Sequence, residues 1–155
     1  LESWLKQYSI VKKCKIRTYA SALSGKLEWF KALKKSRLDQ HVVLALHSAA
    51  EAHGYKNTNL EGLELYVLDP SMREKLENAL QLEPQERGYE VLLIEPYYKV
   101  LIKQDKQDGK EIGICPLLLA FLDLYHFPLR GQEQAEFIAQ RAPEMKRIYK
   151  SVKLK

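Results

Sequence analysis

Residues 112–122 carry no charge, and from Pro116 to Tyr125 the chain reads as a helix that is apolar on nearly every side. A helix of that kind is stable only when other elements cover it. It is also far shorter than the roughly 20 apolar residues that a membrane span requires. Pro128 and Gly131 interrupt it, and a second helix follows in which Ala135, Ile138, Ala139 and Ala142 share one face. The two segments form a pair shaped like a helix-turn-helix, but the first is too apolar to lie in a DNA groove.

The elements that must bury this pair are mixed. Residues 1–13 place Leu1, Trp4, Leu5, Tyr8 and Val11 near helical spacing, and residues 27–35 do the same with Leu27, Phe30 and Leu33. The stretch 14–23 between them carries no assignment. A short apolar run at 41–46 reads as a strand, followed by a helix over 47–53 that Gly54 ends in a left-handed conformation. Residues 63–68 alternate Leu63, Leu65 and Val67 with Glu64 and Tyr66, the period of a half-buried strand. Asp69 is placed to cap a helix opened by Pro70, with Met72, Leu76, Ala79 and Leu80 as its stripe. Residues 89–94 and 99–103 read as further strands, and Asp108-Gly109 turns the chain into 111–115, giving an expected hairpin around 99–115. The fold expected is α+β, one domain over residues 1–155, with a mixed sheet of about five strands packed with helices and a C-terminal helical pair.

At 155 residues, 46% of them hydrophobic, one domain can bury a sufficient core without staples. Cys14 and Cys115 are single and far apart, which argues against a disulfide framework and a thiolate metal site and fits a reducing cytoplasm. There is no basic start followed by an apolar stretch, and no initiator Met, so a segment upstream of Leu1 is expected to have been removed. The net charge of +5 is spread unevenly. Residues 1–37 hold ten Lys/Arg against Glu2 and Glu28, residues 38–142 hold ten against seventeen acids, and residues 143–155 hold five against Glu144. Lys12, Lys13, Lys15, Arg17, Lys34, Lys35 and Arg37 are therefore candidate nucleic-acid contacts, expected on one exposed face. A solvated helical face is the plain alternative.

Motifs for catalysis are missing from the sequence. His41, His47, His53 and His126 form no zinc-spaced set, and the glycines are scattered singly, without a phosphate loop or a nucleophile elbow. No cofactor and no metal is expected. The best enzymatic candidate is a nuclease-like carboxylate set in which Asp69 or Glu90 would join Glu95 and Lys99, since two hard oxygen ligands must converge on a cation with a Lys near the attacking water. The Glu95-to-Lys99 spacing is wrong for a compact acid–x–Lys pair, and strand-end charges explain these residues equally well.

The segment from Asp123 to Ala135 is the most informative. Asp123 and Arg130 are spaced to pair across the corner between the last two helices, and the small Ala135 lets those helices approach. In their order, Asp123-Leu124, Pro128, Arg130-Gly131 and Ala135 resemble the C-terminal half of the AbiEi antitoxin family of type IV toxin–antitoxin systems. Trp4 and Tyr8 are similar to that family's Trp-x-x-x-Tyr helix, Ala49-Ala50 to its small-residue helix start, Leu65-Tyr66-Val67 to its following strand, and Pro116-Leu117-Leu118 to its entry into the Asp-Leu helix. His47 departs from the pattern, standing where members often have Gly.

The resemblance implies a cytoplasmic antitoxin and transcriptional regulator without enzymatic activity. Such a protein represses its own operon through a winged helix-turn-helix domain preceding the segment seen here, and counteracts a nucleotidyltransferase-like toxin without forming a stable complex with it. Promoter DNA or RNA is the implied partner; a membrane is not. A nucleic-acid-processing enzyme, or its inactive remnant, is the alternative.

Overall fold

The computed structural model describes residues 14–55, 61–96, 112–128 and 130–143. Its first element, β1 (Lys15–Ser21), lies in the stretch that carried no assignment. Ile16, Thr18 and Tyr19 favour extended backbone, but Lys15 and Arg17 stand on the same alternation as Tyr19, so neither face reads as apolar in sequence. Next come α1 (Lys26–Lys35), a 3₁₀ turn (Asp39–His41), β2 (Val42–Leu44) and α2 (Leu46–Ala52). β3 (Leu63–Val67) leads through a second 3₁₀ turn (Pro70–Met72) into α3 (Arg73–Ala79) and β4 (Leu82–Pro84), and β5 (Val91–Glu95), β6 (Gly113–Ile114), α4 (Leu117–Tyr125) and α5 (Gly131–Arg141) follow.

Among the described residues the strands form one mixed sheet of six, in the order β4-β1-β5-β3-β2-β6. β1 runs antiparallel to β4 and β5, β3 runs parallel to β5 and antiparallel to β2, and β6 runs parallel to β2. The α+β reading holds with one strand more than expected, because β1 and β4 were not foreseen and the 99–103 segment lies outside the described residues. The expected hairpin partner of 111–115 lies there too. The pairing described for β6 is the parallel one, Val43 opposite Gly113 and Leu44 opposite Ile114.

Cross-strand partners share a face of a sheet. Tyr19 is opposite Val91, and Val91 is opposite Leu63. The Tyr19 hydroxyl reaches Glu77 on α3, so this face looks toward α3, which α1 contacts. Thr18, Leu92 and Glu64 share the other face, and there Glu64 meets Ser48 on α2, against which α4 and α5 pack. Helices on both faces leave all five residues of β3 buried, Glu64 included at 1% exposure. The half-buried reading of residues 63–68 is thus corrected. The alternation is real in sequence, but a second layer of helices covers its polar side.

Other local signals are realised. Gly54 ends α2 with φ +91°, and the Asp69 side chain accepts from the Ser71 amide at 3.0 Å with Pro70 opening the turn, although regular α-helix begins only at Arg73. In α5, Ala135, Ile138 and Ala139 are buried, as is the capping Ala142. Phe121, Leu124 and Ala120 on α4 are fully buried, as a helix without a polar face demands.

Candidate functional site

Two regions collect the residues singled out by the sequence. The first is the corner between α4 and α5. Gly131 begins α5 against the end of α4, where an added Cβ would strike the Leu124 carbonyl oxygen and lie 2.7 Å from the Phe127 Cβ. Only a residue without a side chain fits there. Ala135, one turn later, is fully buried in the same interface. The sequence reading gave the close approach to Ala135 alone; Gly131 carries its tightest point.

The expected Asp123–Arg130 contact is replaced by another. Arg130 caps α5 with φ +54°, and its guanidinium makes two bonds to Glu133, Nε to Oε2 at 3.0 Å and Nη2 to Oε1 at 2.9 Å. Asp123 lies fully buried on α4, whereas the Arg130 side chain is 42% exposed. A guanidinium finds a fork-matched carboxylate three residues away more cheaply than it gives up its water to reach inward. The Arg130 pairing lowers the Glu133 carboxyl below its ordinary range, with nearby His47 adding to the effect.

His47 fills the position expected to be glycine in the family pattern, packing edge-on to Phe127 with ring centres 6.1 Å apart. Phe127 also meets the Tyr89 ring at 6.4 Å. Tyr89 leads into a group that the sequence reading missed. Its hydroxyl donates to Glu64 Oε1 at 3.0 Å, while the Ser48 amide donates to Glu64 Oε2 at 3.2 Å and the Ser48 hydroxyl donates to the same oxygen. The Glu64 amide donates back to Ser48 Oγ at 3.0 Å. Burial pushes the Glu64 carboxyl up to about 7, against the lowering effect of Ser48, Tyr89 and the Lys26 ammonium. Burial, and then the Glu64 charge, holds the Tyr89 phenol well above its usual value. The signal that could have found this cluster is a lone Glu inside an otherwise apolar strand.

The second region is one end of the sheet. β1 leaves this end at Lys15, and α1, whose Trp29 indole donates to Ser21 Oγ at 2.9 Å, returns the chain to it. Lys34, Lys35 and Arg37 follow immediately, before β2 starts opposite Val67. Lys15 is itself opposite Glu95, and Tyr66, next to Val67, is opposite Ile94. Lys15, Arg17, Lys34, Lys35 and Arg37 are thereby gathered at the end where β3 and β5 finish, together with Arg73 at the start of α3, and Asp39, Asp69 and Glu95 share it. Lys15, Lys34, Lys35 and Arg37 are exposed and Arg17 is half-buried. Lys12 and Lys13 lie outside the described residues.

The nuclease-like candidates are split. Glu90, at the opposite end of β5, accepts the Ser21 amide at 2.8 Å, and Asp69 holds the amide and hydroxyl of Ser71. Glu95 is on the basic end, and Lys99 lies outside the described residues. Among the described residues, no group of three or more His, Cys, Asp or Glu side chains is placed to hold a metal ion, and no helix is long and apolar enough to cross a membrane.

No curated protein and no solved structure matches the chain significantly. The family described as transcriptional regulator, AbiEi antitoxin, type IV toxin–antitoxin system matches residues 1–144. A match of that extent, covering β1 through α5 and the glycine-tightened corner, shows that the chain belongs to the AbiEi antitoxin family of transcriptional regulators.

Proposed function

We propose that residues 1–155 form the single regulatory domain that follows a DNA-reading domain, and that it works in the cytoplasm by opposing a nucleotidyltransferase-like toxin while adding phosphate contacts to repression of its own operon. The observation that carries the nucleic-acid part is the gathering of Lys15, Arg17, Lys34, Lys35 and Arg37 at the sheet end where β1 begins. A domain joined to this N-terminal side would hold DNA next to these cations. Contacts of that type add affinity and set register without reading bases. The domain itself performs no catalysis in this reading, and it opposes the toxin without a lasting complex.

The test is promoter binding by the full-length protein carrying K34E, K35E and R37E. Each phosphate contact contributes a slope of about −0.9 to the dependence of log affinity on log salt, so the triple reversal flattens that slope by up to about 3 units and leaves sequence preference intact. An unchanged slope would show a solvated face instead. For the toxin, the measurement is growth of cells expressing a nucleotidyltransferase-like toxin of a type IV system, with and without this chain. Rescue accompanied by co-purification of the two proteins would overturn the claim that they form no stable complex.

A further inference from the structure

Within the basic end, Lys15, Arg17 and Arg73 differ from the other cations in where they point. Lys15, Arg17 and Tyr19 alternate along β1 and so face the α3 side of the sheet. On the same face, Leu93 is opposite Arg17 and Glu95 is opposite Lys15. Arg73 begins α3 above them, and the three basic side chains line one small cleft over Val67 and Leu93, with Glu95 as its single acid.

Two donors of this cleft are left over among the described residues. The Nε atoms of Arg17 and Arg73 are shielded from solvent, and among the described residues neither has a hydrogen-bond acceptor. Among the described residues Arg73 is ion-paired only loosely, with Glu77 Oε1 4.0 Å from Arg73 Nε, and the other Glu77 oxygen already accepts the Tyr19 hydroxyl at 2.8 Å. A half-buried guanidinium on a helix-facing strand position is costly unless an acceptor meets it. The strand retains it there all the same.

We infer that Lys15, Arg17 and Arg73 form a seat for one phosphate group. Two planar guanidinium groups and one ammonium, arriving from a strand and from the helix above it, supply donors from different directions, which suits a tetrahedral oxyanion carrying several acceptor oxygens. A flat carboxylate is satisfied by a single guanidinium fork. The phosphate comes either from a nucleic-acid backbone or from a small phosphate ester. The inference deepens the proposed contact with nucleic acid and rests on it only for the first of those sources. Arg73 extends the set of cations into the acidic middle of the sequence.

The test is titration of the full chain with inorganic phosphate at constant ionic strength, following the guanidinium Nε–H signals of Arg17 and Arg73 by NMR, with chloride and acetate as competing probes. Both signals are expected to move together and saturate with phosphate. R17Q and R73Q each weaken the interaction at least about tenfold, the worth of one charge-assisted hydrogen bond, while R17K, which keeps the charge but not the fork, restores part of it. Signals that drift without saturating, or that saturate equally with acetate, overturn the inference, and this result comes from the unsubstituted chain whether or not a variant folds.

Duplex DNA then separates the sources. If R17Q lowers the salt slope of promoter binding by about 1 unit, the seat takes a backbone phosphate; if duplex binding is unchanged while phosphate still saturates, it takes a free phosphate ester. Failure of the K34E, K35E and R37E reversal to alter duplex binding would remove the proposed nucleic-acid face without touching the phosphate titration, so the two ideas fail separately.

Discussion

At the helical corner, the Glu64 carboxylate is held by Ser48 and Tyr89, and no space is left beside Gly131 for a methyl group. At the basic end of the sheet, Lys34, Lys35 and Arg37 stand in solvent, and the shielded Nε atoms of Arg17 and Arg73 have no acceptor among the described residues. The first region meets its buried Glu64 carboxyl with donors of its own. The other keeps donors available, which suits a surface that meets an anion. The difference teaches that within this domain the parts most important for stability and the parts available for binding are separate, so substitutions in one should leave the other unaltered.

The largest expected effect tests the tightness of the corner. Gly131→Ala places a methyl group against the Leu124 carbonyl, where the backbone would have to move, and should cost at least about 3 kcal/mol in urea unfolding, the upper end of overpacking losses. A loss below about 1 kcal/mol would mean that the corner yields easily and is not the rigid half of the comparison.

Next is the pH dependence of Glu64. Its folded-state value of about 7 lies above its ordinary 4.5. Its contribution is therefore fully present at acid pH below 4.5 and is lost as pH rises through about 7. Unfolding free energy should fall between pH 5 and pH 8 by an amount approaching about 3 kcal/mol from this group. Glu64→Gln, which keeps the shape and stays neutral, should flatten that part of the curve. If the wild-type and Gln profiles run parallel, the carboxylate is not the source of the pH dependence.

A smaller effect separates the corner's interior from its rim. Arg130 and Glu133 pair in solvent, where such pairs contribute little. Arg130→Ala should leave the thermal midpoint unchanged and should return the Glu133 carboxyl to its ordinary range in an NMR titration. A marked drop in midpoint would show that Arg130 braces the helix junction after all. At the basic end, K34E, K35E and R37E together should alter stability least, since these side chains carry no buried contact, and their effect should appear only in the salt dependence of binding.

The sequence by itself determined what local chemistry decides. The apolar segment after Pro116, the glycine that ends α2, the Asp69-Pro70 turn and the buried stripe of α5 all follow from propensities and periods a few residues long. The ordered motifs from Trp4 to Ala135 were enough to identify the family that the match over residues 1–144 shows. Only the tertiary structure decided the rest. β1 was hidden because Lys15 and Arg17 stand on the same alternation as Tyr19, so neither face reads as apolar, and what makes it a strand is pairing with β5, far along the chain. Glu64 looked exposed because period-two alternation reports that side chains change face, not what covers each face; α2 and Tyr89 cover this one. The partner of Arg130 was misread for a related reason, since spacing limits which groups can meet but desolvation decides which do, and Glu133 offered a carboxylate that stays in water. The convergence of Arg73 with Lys15 and Arg17 was equally out of reach, because it depends on the sheet order that brings α3 over β1.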